Sequence, residues 1–83
     1  MGMSTDAQPN LRECVETVVE RYLADLDGDA PSGLHEMIIE EVERTLIATV
    51  MRHCGGQRIT AAAWLGINRN TLRKKLLTYG LDD

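Results

Sequence analysis

Residues 57–80 read QRITAAAWLGINRNTLRKKLLTYG, and the fold turns on how this stretch is parsed. It opens with a small-residue segment, Thr60-Ala61-Ala62-Ala63-Trp64-Leu65, which Gly66 interrupts. In the segment that follows, Arg69, Arg73, Lys74 and Lys75 are interleaved with Leu72, Leu76 and Tyr79. Those three apolar positions recur at intervals of four and three, so they share one face of a helix. At about 100° per residue, Asn70, Arg73, Lys74 and Leu77 project from the other face. Three consecutive alanines keep the first helix thin, so the second can cross it closely. Gly66 can take the left-handed backbone conformation of a sharp turn, and Asn68 is placed to cap the second helix. Two short helices joined by a tight glycine turn, the second basic and amphipathic, form the pattern of a helix-turn-helix that reads DNA. Arg69 lies at the start of the reading helix, where a guanidinium can bond both acceptors of a guanine as a fork. Thr60, Asn68, Thr71, Arg73 and Lys74 suit phosphate oxygens. A cationic helix that merely offsets its own dipole is the plainer reading, but it explains neither Arg69 nor the helix-glycine-helix spacing.

Upstream, Leu34 to Cys54 is the longest periodic stretch, with Ser32 as the expected N-cap and Gly55 beyond its end. Its apolar residues fall into more than one row: 34-38-42-46-50 and 39-42-46-50, joined by 47-51-54. A helix of about 20 residues spans about 30 Å, more than the short helices of one chain can cover on two sides. A second copy crossing it could, so this helix is the expected centre of a two-fold dimer, through Ile39, Val42, Leu46, Ile47 and Val50. Asn10 to Leu26 reads as an amphipathic helix with Leu11, Val15, Val18, Tyr22 and Leu26 on one stripe. Asn10 and Glu13 stand as a capping box, and Val15, Val18 and Tyr22 join the expected dimer contacts.

At 83 residues with no Phe and 4% aromatics, the chain is one small domain with an aliphatic core, a size that favours an oligomer. The net charge of −4 hides a segregation. Residues 1–48 carry three cations against eleven acids, a net of −8, while residues 49–83 carry six against two, a net of +4. An acidic body with a basic end suits a protein that offers only that end to a polyanion. Cys14 and Cys54 have no metal-ligand or redox spacing and are expected as reduced thiols. Asp25, Asp27, Asp29 and Glu36 match positions 1, 3, 5 and 12 of a calcium loop, but Ala30 stands where that loop needs glycine, so an acidic turn is the better reading. His35 and His53 lie at opposite ends of the long helix, too far apart to share a metal. No nucleophile motif, phosphate loop or catalytic carboxylate pair is present, so neither an enzyme nor a cofactor is expected. No apolar run is long enough for a membrane span, and a cytoplasmic protein with no membrane partner is expected.

From about Leu11 to Leu81 the chain resembles the Fis (factor for inversion stimulation) family of bacterial nucleoid proteins. The resemblance is strongest at Gly66-Ile67-Asn68-Arg69-Asn70-Thr71-Leu72-Arg73-Lys74-Lys75-Leu76 and Tyr79-Gly80, with support from Glu40-Glu41-Val42-Glu43 and Leu26-Asp27-Gly28. Arg69-Asn70-Thr71-Leu72 is also similar to the DNA-binding tail of nitrogen-regulator-type enhancer-binding proteins. The resemblance implies an all-α, four-helix subunit in an intertwined homodimer, with a C-terminal helix-turn-helix on each chain. Residues 1–9 would be a disordered segment. Dimerisation helices would occupy 10–55 (about 10–26 and 33–54), and the DNA-binding unit 56–83 (about 57–65 and 69–79). Carried onto this sequence, Arg69 and Asn68 become the base-reading pair, with Gln57, Thr60, Thr71, Arg73 and Lys74 on the DNA backbone. The implied function is DNA binding and bending in transcription regulation at the bacterial nucleoid. Double-stranded DNA and a second copy would be the partners, with RNA polymerase a further candidate.

The chain departs from the family at several places. Gln57 stands where Asn is usual, Ile59 where Thr is, and Thr60 where Arg is, while Leu77 and Thr78 replace two lysines. Fewer cations imply a shallower salt dependence. The family's N-terminal hairpin arms, which touch invertases, have no counterpart in Met1–Pro9, so stimulation of recombination is not expected. Two alternatives remain: a helical protein-interaction module, or the excised DNA-binding tail of a larger enhancer-binding activator.

Overall fold

The computed structural model describes residues 10–81. The expectation of disorder for residues 1–9 lies outside the described residues. Among the described residues the chain is all-α: α1 (Leu11–Asp25), α2 (Leu34–His53), α3 (Arg58–Leu65) and α4 (Arg69–Thr78). It divides after Gly33 into two compact units.

In the first unit, Asn10 adopts extended backbone and its Oδ1 accepts the Glu13 N–H at 2.8 Å, which caps one orphan donor of α1. The helix nevertheless has no buried residue. Leu11 is 70% exposed, Val18 and Leu23 are also exposed, and Val15, Val19 and Tyr22 are only half-buried.

In the second unit, α2 runs for 20 residues. It begins at Leu34, so Gly33, and not Ser32 as the sequence suggested, occupies its boundary. Gly33 sits at φ 69, outside the helical region, and the helix cannot extend back through it. The hydroxyls of Thr45 and Thr49 donate to the carbonyls of Glu41 and Thr45 at 2.9 and 2.8 Å, so these polar β-branched residues stay bonded inside the helix. Beyond His53 the Gly56 N–H bonds back to the Met51 carbonyl at 2.9 Å and closes the C-terminus.

The core of this unit is small and aliphatic: Ile47 from α2, Ala61 and Ala62 from α3, and Leu72 and Leu76 from α4. Val50, Met51, Cys54, Leu65, Ile67, Tyr79 and Leu81 pack around it half-buried. Ile47 is 2% exposed within a single chain. Of the residues on α2 that the sequence suggested for a dimer contact, Ile47 is buried in this core and Val50 is half-buried against it. The other three, Ile39, Val42 and Leu46, remain exposed. No helix among the described residues is long and apolar enough to cross a membrane.

Candidate nucleic-acid interface

The site is built from the turn outward. Gly66 takes φ 74 and ψ 28, left-handed values that a Cβ would strain. Its N–H bonds to the Ala62 carbonyl at 2.9 Å, and the Ile67 N–H bonds to the same carbonyl at 3.1 Å, so the last turn of α3 is closed within three residues of the next helix. Half-buried Ile67 packs against the core beneath the turn. Asn68 then starts α4 from extended backbone, its Oδ1 accepting the Asn70 N–H at 2.7 Å. With its oxygen engaged in the cap, Asn68 has its amide donors left for other partners.

Ala61 and Ala62 are among the best-buried side chains of the chain, and Leu72 and Leu76 are fully enclosed opposite them. Small residues at the crossing bring the helices close, and this fixes which side of α4 faces outward. Arg69, Asn70, Thr71, Arg73, Lys74, Leu77 and Thr78 are all exposed on that side. Arg58, Ile59, Arg69, Asn70 and Arg73 line a shallow concavity of about 320 Å³. A second, of about 410 Å³, shares Asn70 and Arg73 with it and adds Lys74 and Leu77. The two concavities join into one cationic surface at the junction of α3 and α4. The sequence has no acid between Glu43 and Asp82, so Arg69, Arg73 and Lys74 have no carboxylate neighbour along α4.

Of the other residues suggested by the sequence, Gln57 is exposed at the N-terminal boundary of α3 and its side chain makes no cap. The Thr60 hydroxyl donates to Gln57 Oε1 at 3.4 Å, which brings these two together beside the surface. Ile39 and Val42, two of the suggested dimer contacts on α2, line neither concavity.

One contact of the reading helix has no counterpart among the residues that the sequence singled out. Glu43 of α2 reaches α4, where the Tyr79 hydroxyl donates to its Oε1 and Lys75 Nζ lies 3.0 Å from both carboxylate oxygens. The Arg44 guanidinium sits over the Tyr79 ring, 5.4 Å from its centroid. The Tyr79 hydroxyl and the Lys75 ammonium hold the Glu43 carboxyl below its ordinary value of 4.5. The same hydrogen bond pushes the Tyr79 hydroxyl up to about 12. Lys75 is thereby set apart from Arg69, Arg73 and Lys74. One sign was available in advance: Glu43 lies four residues before core-forming Ile47, an odd place for an acid without a partner.

The family described as "Bacterial regulatory protein, Fis family" matches residues 38–79, which span the C-terminal part of α2 and both short helices. A Fis-like DNA-binding protein of Xylella fastidiosa is 54% identical over 71 residues, covering 86% of this chain and 79% of the relative. A Fis-like DNA-binding protein of Neisseria meningitidis is 44% identical over 73 residues, covering 88% and 92%. The DNA-binding protein Fis of Vibrio cholerae is 43% identical over 75 residues, covering 90% and 76%.

Proposed function

The chain belongs to the Fis family of bacterial regulatory proteins, and from that premise we propose that it binds and bends double-stranded DNA as a homodimer and so regulates transcription. The observation that carries the reading is the acid-free cationic face of α4, held outward by fully buried Leu72 and Leu76. In this reading the N-terminus of α4 enters the major groove. Arg69 reads base edges with the Asn68 amide beside it, while Gln57, Thr60, Thr71, Arg73 and Lys74 bond the phosphate backbone. The relatives' names support DNA as the ligand, and the charge segregation supports presentation of this end alone.

The homodimer rests on what one chain leaves open. Ile39, Val42 and Leu46 follow one another at intervals of three and four on a helix about 30 Å long, and all are exposed. α1 adds exposed Val18 with half-buried Val15 and Tyr22. Two copies paired through these surfaces would present two reading helices at a fixed separation, and a separation shorter than one DNA turn would oblige the duplex to bend. The division of the chain into dimerisation helices over 10–55 and a DNA-binding unit over 56–83 is one of role, because the C-terminal half of α2 shares its core with α3 and α4.

A bending assay on circularly permuted A/T-rich fragments tests dimer geometry and function together. Mobility that varies with the position of the site supports the reading, and position-independent mobility of a bound complex refutes bending. A sedimentation mass of one chain at micromolar concentration would refute the homodimer. A chain that washed through immobilised heparin and bound no duplex at physiological salt would leave only a protein-interaction module.

A further inference from the structure

The Glu43 cluster bears on how the reading helix is held. Leu72 and Leu76 bury α4 against its neighbours, but apolar contact is non-directional, and a helix of ten residues seated on two leucines can roll about its axis. At about 5–6 Å from the axis, a roll of about 20° moves a side-chain tip by about 2 Å, more than the distance window of a hydrogen bond. Lys75 and Tyr79 lie one turn apart on α4 and both converge on Glu43, 32 and 36 residues away on α2. Two directional bonds from successive turns to one carboxylate fix both roll and register. Arg44 from the next position of α2 covers the Tyr79 ring and adds a third tie between the helices.

The cluster has an electrostatic consequence as well. Lys75 is the immediate neighbour of Lys74 and lines the adjoining concavity with Thr71, Lys74, Thr78 and Tyr79. Its side chain is one-third exposed, so it is near enough to the surface to meet a polyanion, yet its charge is offset by a carboxylate that is 30% exposed itself. We propose that Glu43 is a positioning residue for DNA recognition, which sets the roll of the reading helix through Lys75 and Tyr79 and keeps the Lys75 charge from adding to sequence-independent attraction. It rests on the assignment of α4 to the DNA groove.

The two roles separate in a binding experiment. The chain first selects a duplex from a random pool. Affinity for that duplex and for a scrambled one is then measured across a salt series. Glu43→Gln is expected to bind the scrambled duplex more tightly, to steepen the salt dependence by about one unit, and to lower the preference for the selected duplex about three- to ten-fold. Tyr79→Phe, which deletes only the hydroxyl, is expected to lower the preference while leaving the salt dependence unchanged. Circular dichroism confirms that each variant is folded, and should Glu43→Gln melt out, Tyr79→Phe carries the test alone. Wild-type preference in folded variants overturns the proposal, and so does a parallel weakening on both duplexes, which would mark a loss of structure only. If the wild-type chain itself held no duplex, the DNA-binding reading would fall first and take this role with it.

Discussion

α1 and α4 are both short amphipathic helices, and they meet opposite ends. α4 has ten residues and buries Leu72 and Leu76 completely, whereas α1 has fifteen and buries nothing. Apolar content does not separate them, since α1 carries a longer stripe. What differs is the supply of neighbours within each unit: α4 is met by α3 and α2 in the second unit, while α1 is, among the described residues, the one helix of the first. A helix of this length is marginal alone in water, and the proposed homodimer would supply contacts for its exposed stripe. The contrast recurs inside α2, where adjacent Leu46 and Ile47 are 51% and 2% exposed. One face of α2 is closed by the chain's own fold, and the other stays exposed.

The largest expected effect comes from cutting into the core. Leu76→Ala removes a fully enclosed side chain from a core of five and should cost about 2–5 kcal/mol in urea unfolding. Leu11→Ala, at the exposed end of α1, should cost well under that. If the two proved equal, the contrast would be broken. Leu46→Asp sharpens it from the other side by placing a charge on the open stripe. It should halve the sedimentation mass while the helix-turn-helix unit keeps its fold.

Smaller effects fall at the reading surface. Arg69→Ala should lose about 1–3 kcal/mol of binding to the selected duplex and relax its base preference at fixed salt. Intact affinity and preference would remove Arg69 from the groove. Gly66→Ala places a Cβ at φ 74 with nothing within 4 Å to strike, so only the backbone penalty of about 1–2 kcal/mol in stability is expected.

The smallest effect is one of pH. Because the Glu43 carboxyl is held below 4.5, its contribution to stability is present above that value and lost as pH falls through its lower folded value. Tyr79 runs the other way, its contribution being present below 10 and lost as pH rises toward about 12. Acid and alkaline unfolding midpoints of Glu43→Gln and Tyr79→Phe, compared with the native chain, check both limbs. Indistinguishable midpoints would leave the clamp without energetic content.

Much of the architecture was legible in advance because its determinants are local. The break at Gly66, the cap at Asn68 and the buried side of α4 each follow from residues within a turn of one another, and the resemblance to the Fis family rested on that contiguous stretch. Ser32 is the expected cap by residue type, but α2 starts only at Leu34, after Gly33 at φ 69, a backbone angle that no composition reveals. Helical periodicity says that α2 has two apolar faces, but not that Ile47 is enclosed by α3 and α4 while Leu46 stays exposed.

The residues alone therefore determined the four helices, their polarity and the segregation of charge, since period, propensity and charge are properties of short windows. Only the tertiary structure decided that Ile47 belongs to the chain's core while Leu46 stays exposed, and that Lys75 is bound to Glu43 while Lys74 remains exposed. Those outcomes depend on the roll of α4 against α2 across the thin alanine face of α3. That angle arises from packing between segments more than 30 residues apart, and no local pattern encodes it.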